Sequence, residues 1–423
     1  MTSRAETGPS SEEEAAPFLE PRDGVPAPLE AGSQLEEAVA AFAAGSGPVA
    51  IDAERASGYR YSARAYLVQL RRAGAGTALV DPVALPDLSS LGAALADTEW
   101  VLHAASQDLP CLAEVGMRPS RLFDTELAGR LLGMPRVGLG AMVLDVLGYT
   151  LEKGHAAADW STRPLPEPWL RYAALDVEVL VELRDVLEER LRQAGKLEWA
   201  YEEFAALAAA PPPAPRVDPW RRTSGMHRVR KRRQLAVVRE LWQARDTVAR
   251  DRDTAPGRVL PDGAIVEAAL ASPRSVADLL ALPVFNGRAT RRRAALWVDA
   301  IRRGLDTPDS ALPEVSPPHD SPPPARSWPD RDPAAAARLA AARAAVGALA
   351  DEHELPVENL LTPDTVRRLA WSPPPVADVA TVAEFLRRHN AREWQVRLTA
   401  GPLAGALERA GREAPAAAEP GGA

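Results

Sequence analysis

Short apolar runs alternate with longer amphipathic stretches through the first half of the chain. VAIDAE, YLVQL, TALVDP and WVLHAA read as strands, whereas LEEAVAAFAAG and VEVLVELRDVLEERLRQ repeat their apolar positions at helical spacing. This mixture predicts an α/β body over residues 31–209. Two Pro-rich stretches, APPPAPRVDP at 210–219 and PEVSPPHDSPPPARSWP at 313–329, cannot continue a helix or a central strand and act as spacers. Between them, residues 227–308 show helical periodicity without strand alternation, in RRQLAVVRELWQARDTVARD, DGAIVEAALA, SVADLLAL and RRRAALWVDAIRRGL. A third body, 333–410, has the same helical texture and a similar length, as a diverged duplication of the second would. Residues 210–226 and 309–332 are then linkers, and 1–30 and 411–423 are expected to be disordered tails.

Composition narrows the function. A single cysteine among 423 residues leaves neither a disulfide framework nor a thiolate zinc site, and Cys111 reads as a small core residue. The acidic, Pro-rich start lacks the basic and apolar regions of a signal peptide, and no apolar run is long enough to span a membrane, so a cytoplasmic protein is expected. The formal net charge of -8 argues against nucleic acid only as an average. Between Arg216 and Leu305 about 20 Lys plus Arg face about 9 Asp plus Glu, a local basic excess suited to phosphate. Within it lie Arg228, Arg230, Lys231, Arg232, Arg233, Arg288, Arg291, Arg292 and Arg293, as a candidate nucleic-acid surface or a merely solvated helix face. Trp220 and Trp242 are candidates to stack on bases, although Trp242 shares helical spacing with Leu235, Val238 and Leu241 and suits a core.

The candidate chemistry is carboxylate. In VAIDAERA the period of two puts Asp52 and Glu54 on one face of a strand, with Val49, Ile51 and Ala53 on the other. Adjacent carboxylates on an apolar strand repel and are costly to desolvate, and alternation turns Arg55 to the opposite face, so a divalent cation with oxygen ligands is the fitting neutraliser. In isolation the pair reads more simply as a solvated strand edge or turn feature. Downstream, Tyr172 and Asp176 lie four apart on a helical face with Leu180, Leu183 and Leu187, where a surface acid and a core tyrosine are the plain alternative. Asp108 follows the strand WVLHAA, where a helix N-terminus would also favour an acid.

Taken in order, VAIDAERASGYRYSARAYLVQL, VLHAASQDLPCL and DWSTRPLPEPWLRYAALDVEVL resemble the three exonuclease motifs of the bacterial ribonuclease D family. The resemblance covers the first body and implies a ribonuclease H-like fold, a mixed five-stranded sheet flanked by helices. It places the four metal-binding acids on Asp52, Glu54, Asp108 and Asp176. The last motif occurs with histidine five residues, or tyrosine four residues, before its Asp; Arg171 stands at the first position and Tyr172 at the second, which is the tyrosine form. LEKGHAAADWSTRPL resembles the family's loop between the second and third motifs, so Lys153 and Arg163 become candidate RNA contacts, with an Arg163–Asp159 ion pair as the alternative. Asp124, in RLFDTELAGRLLG, reads as a structural helix cap rather than a metal ligand.

The second body resembles the helicase-and-ribonuclease-D C-terminal (HRDC) domain through LWQARDTVARDRDTAPGRVLPDGAIVEAALASPRSVADLLALP. The third resembles a second HRDC-like lobe through ELPVENLLTPDTVRRLAW. What the resemblance implies is a 3′-to-5′ exoribonuclease that removes 5′-mononucleotides using two Mg²⁺ or Mn²⁺ ions, with Tyr172 orienting water. Its partners would be single-stranded 3′ ends of RNA, tRNA precursors among them, with no organic cofactor. A DNA exonuclease would use the same acids, and no residue reports on the 2′-hydroxyl. A silent RNA-binding scaffold fits less well with all four acids and the tyrosine in place.

Overall fold

The computed structural model describes residues 16–152, 154–212, 214–316 and 321–413. Five strands, β1 Ser46–Arg55, β2 Ala65–Ala73, β3 Gly76–Val80, β4 Glu99–Leu102 and β5 Arg121–Asp124, form one sheet in the order β3-β2-β1-β4-β5. β1 is antiparallel to β2 and parallel to β4, so the sheet is mixed, as the resemblance implied. The central position of β1 explains its unbroken apolar run: Val49, Ala50 and Ile51 are fully buried, as a strand covered on both faces requires.

Opposite β1 the helix Glu167–Glu178 packs on the sheet, and Leu180–Gln193 follows it after a one-residue break at Val179. The single long helix of the sequence reading is thus two. Tyr172 and Asp176 belong to the first, while Leu180, Leu183 and Leu187 fill the core from the second.

The predicted tail does not hold for residues 16–30. Leu19 is buried, the Leu29 N–H donates to the Leu79 carbonyl at 2.7 Å, and Arg22 lies 2.8 Å from Glu182. Tertiary contacts order a segment whose own composition favours disorder. Residues 1–15 of that expected tail lie outside the described residues. Of the second tail, 411–413 continue the helix Glu393–Glu413, and 414–423 lie outside the described residues. The linkers are also shorter than predicted. Trp220 is already buried in the second body's core, and Trp328 is fully buried in the third lobe, 4.9 Å from Trp371 between ring centroids.

The second body has its own core, built on the helices Arg232–Asp251 and Ala294–Asp306. Gly304 permits their approach, because a Cβ there would stand 2.6 Å from the Val237 Cα. The third lobe instead shares one core with the α/β body. Trp394 stacks on Trp199 with centroids 5.0 Å apart and donates its backbone and indole N–H groups to Glu202 and Glu203. No described helix is long and apolar enough to cross a membrane.

The second body is fastened to the segment that leaves β1. Asp253 accepts from the backbone N–H groups of Tyr61 and Ser62 at 3.2 and 3.3 Å and from the Tyr66 hydroxyl at 3.3 Å. The Tyr61 hydroxyl donates to Asp246 at 2.9 Å, and Arg258 donates to the Gly58 carbonyl while lying over the Tyr59 ring.

Candidate active site

The C-terminal end of β1 delivers Asp52 and Glu54, and the helix Glu167–Glu178 brings Asp176 against them. Ligand oxygens of these three side chains all lie within 4.8 Å of one another. Gln69, directly opposite Asp52 in the register of β2, donates its amide to the Asp52 carboxylate at 3.0 Å. Gln69 is fully buried, and its Oε1 has no hydrogen-bond partner. The sequence reading missed it; its signal was the lone amide inside the apolar strand YLVQL.

Asp108 arrives from the tight turn after β4. Asp124 builds that turn: its carboxylate caps the helix Thr125–Leu131 through the N–H groups of Glu126 and Leu127 and also accepts from Ala104 and Ala105. Ala104 takes φ +57, a left-handed conformation that a non-glycine residue adopts only when surrounding bonds enforce it. Asp124 is therefore a structural acid, as the sequence suggested, and it sets the position of Asp108. Cys111 is buried behind Asp108, whose carbonyl its thiol meets at 3.1 Å, and burial pushes that thiol up to about 12. His103 lines the same cleft, with Nδ1 2.9 Å from the Thr125 hydroxyl; burial lowers it to about 4, so it is neutral near pH 7.

The electrostatics are those of an anionic cluster short of positive charge. Burial first, and then the neighbouring carboxylates, push Glu54 and Asp176 well above the ordinary range. Asp108 rises to about 8 for the same reasons, and burial also raises Asp52. Tyr172 hydrogen-bonds Asp176, and burial with the surrounding acids raises its phenol further, so it remains a protonated donor. Edge contact with His155, 5.7 Å between centroids, fixes the ring's outer side.

One expectation about this cluster is overturned. Arg55 does not turn away: its guanidinium lies 3.3 Å from Asp108. The register of β1 on β2 shifts between Glu54, opposite Leu67, and Arg55, opposite Ala65, and such an irregularity breaks the alternation on which the expectation rested.

The basic candidates divide. Lys153 lies outside the described residues. Arg163 does not pair with Asp159; it forms a two-pronged bond to buried Asp81 at 2.6 and 2.7 Å and donates to the carbonyls of Tyr66, Trp160 and Thr162. Asp159 accepts from Ser161 instead. In the second body, Arg228 pairs with Glu267 at 2.7 Å, Arg232 with Glu314 at 3.0 Å, and Arg233 with Asp309, so these three tie down their own module. Arg230, Lys231, Arg288, Arg291 and Arg292 are exposed, and Arg293 is half-buried. Trp220 is no stacking platform, being buried with its N–H on Asp218, whereas Trp242 is half-buried against the module's core.

Comparison with known proteins agrees with this geometry. Residues 27–192 match a family described as 3'-5' exonuclease, 234–301 match the HRDC domain, and 321–407 match a 3' to 5' exonuclease C-terminal domain. The third lobe thus matches a family other than the one matched by the second. A ribonuclease D of Gluconacetobacter diazotrophicus is 32% identical over 337 residues, 77% of this chain and 82% of the relative. A Shewanella ribonuclease D is 35% identical over 237 residues, 55% and 61% of the respective chains. Among solved structures, a protein from Bifidobacterium adolescentis superposes with TM-score 0.87 at 38% identity, covering 93% of this chain and all of that one. Escherichia coli RNase D superposes with TM-score 0.67 at 26% identity over 92% and 99% of the two chains. On the strength of a fold, an acid cluster and relatives that agree over most of its length, this chain belongs to the ribonuclease D family.

Proposed function

We propose that this chain is a 3′-to-5′ exoribonuclease that hydrolyses the terminal phosphodiester of single-stranded RNA 3′ ends and releases 5′-mononucleotides. The observation that carries the reading is the convergence of Asp52, Glu54 and Asp176 within 4.8 Å on a buried strand and helix, with Asp108 beside them. Raised carboxylates and oxygen-only donors suit hard divalent cations, Mg²⁺ or Mn²⁺, and suit soft metals poorly. Asp52, Glu54 and Asp176 would hold one cation, and Asp52 with Asp108 a second. Bound there, the cations would acidify a water and neutralise charge on the phosphate and on the leaving 3′ oxygen.

The chain's own groups do the positioning. Gln69 orients the Asp52 carboxylate, and Asp124 holds the turn that presents Asp108. Tyr172, a donor at neutral pH, aligns the attacking water by hydrogen bonding; its raised phenol makes it unsuited to remove a proton. The exposed arginines of the HRDC module supply phosphate contacts that weaken with salt. Escherichia coli RNase D is described as an exoribonuclease involved in structured RNA processing. Structured RNAs with single-stranded 3′ tails, tRNA precursors among them, are accordingly the proposed substrates, in the cytoplasm. The test is degradation of a 3′-tailed structured RNA and of the matching DNA, with Mg²⁺ and with EDTA. RNA shortening from its 3′ end only with Mg²⁺ supports the reading; preferential loss of the DNA would replace it with a DNA exonuclease.

A further inference from the structure

The four acids are not equivalent. Three of them form a group close enough to share one cation, but Asp108 is outside that group, and its carboxylate faces Arg55 at 3.3 Å. Arg55 is the one Lys or Arg among the described residues that line the acid cleft. It also lines the side cleft next to it, with Ser57, Gly58, Tyr59, Gln107 and Ala156–Ala158. The irregular register at Glu54 and Arg55 is what carries its side chain there, and 29% of that side chain remains exposed. A buried carboxylate thus has a partner that is long, flexible and able to reach open space.

We infer that Arg55 is an exchangeable partner of Asp108: its guanidinium occupies the Asp108 carboxyl in the cation-free site and moves to a substrate phosphate when a divalent cation takes Asp108. This inference rests on the two-cation reading above. The guanidinium and a second cation compete for the same carboxylate, whereas Arg55 acts on Asp52 and Glu54 of the first site only by longer-range attraction and forms its ion pair with Asp108. Phosphate relieves the competition because it accepts the same forked hydrogen bonds as a carboxylate. The second cation and the RNA end therefore bind cooperatively, and the free protein keeps one cation more tightly than the other.

Calorimetric titration of the full chain with Mn²⁺ alone tests this, comparing wild type, Arg55→Gln and Arg55→Lys. Wild type is expected to bind one Mn²⁺ tightly and a second weakly. Arg55→Gln should tighten the second step on the order of tenfold, the effect of one pKa unit of electrostatics, while Arg55→Lys stays near wild type. At saturating Mn²⁺, Arg55→Gln should bind 5′-AMP roughly tenfold more weakly than wild type, by the same scale. Superimposable Mn²⁺ isotherms for wild type and Arg55→Gln, or unchanged 5′-AMP binding, would overturn the role of Arg55 and leave the two-cation reading standing. Absence of any Mn²⁺ binding by folded wild type would overturn both.

Discussion

Gln69 stands directly across β1 and β2 from Asp52 and donates its side-chain amide to the Asp52 carboxylate at 3.0 Å. The Asp108 side chain also hydrogen-bonds Asp52, but Gln69 is fully buried and held in the strand, so the amide's orientation helps fix the acid's. Gln69→Leu removes the donor while keeping a side chain that fits the apolar strand. Loss of a group that orients a metal ligand costs about 10–100-fold in metal affinity or activity. Mn²⁺ titration and exonuclease assay of Gln69→Leu should both show a loss in that range, and wild-type values in both would show that Asp52 needs no such support.

Tyr172 is expected to act as a donor. Tyr172→Phe keeps the ring against His155 and Trp160 and removes only the hydroxyl. Turnover should fall about 100-fold, the lower range for a positioned proton-handling group, with Mn²⁺ affinity little changed. A loss of Mn²⁺ binding as large as the loss of turnover would mean that the hydroxyl serves chiefly to hold Asp176.

Arg163 should matter for folding rather than for RNA. It is the partner of Asp81, a carboxylate only 3% exposed, and removing one member of such a pair strands the other. Arg163→Ala should destabilise the protein by about 3 kcal/mol in urea unfolding. The affinity of the folded variant for a single-stranded RNA, measured with Ca²⁺ in place of Mg²⁺, should stay within twofold of wild type, roughly 0.4 kcal/mol. A large affinity loss without destabilisation would restore the RNA-contact reading.

The acid cluster also predicts a pH dependence of the cation-free protein. Asp108 has an ordinary value of 3.8 and rises to about 8 when folded, so between these values the folded state holds a proton that the unfolded state has lost. Its stabilising contribution is complete below the lower value and disappears as pH rises through the higher one. His103 acts in the opposite sense, since its value drops from 6.5 to about 4 on folding and its contribution is lost as pH falls through that window. Between pH 6.5 and 8 the acids alone should therefore govern the slope. In EDTA the urea midpoint should decline across that interval, and Asp108→Asn should flatten the decline. A midpoint that rises from pH 6.5 to 8 would contradict the proposed charge state.

Much of this was legible in the sequence because periodicity and motif spacing encode faces. Asp52 and Glu54 share a face because a strand repeats every two residues, and Tyr172 and Asp176 share one because a helix turn spans four. What failed did so where tertiary structure overrides local pattern. A register irregularity redirected Arg55, and Asp81, a residue 82 positions away in the chain, claimed Arg163. Docking ordered residues 16–30 despite a composition suited to disorder, and Trp220 and Trp328 drew supposed linkers into the cores. None of these partnerships is local, so no window on the sequence contains both halves.

The most direct measurement is a sequencing-gel time course on a 5′-labelled, 3′-tailed structured RNA, comparing wild type with Asp176→Asn in Mg²⁺ and in EDTA. Wild type in Mg²⁺ should give a ladder shortening from the 3′ end one nucleotide at a time, with intact RNA in the other three lanes. Stepwise shortening by Asp176→Asn, or by wild type in EDTA, would contradict the exoribonuclease reading.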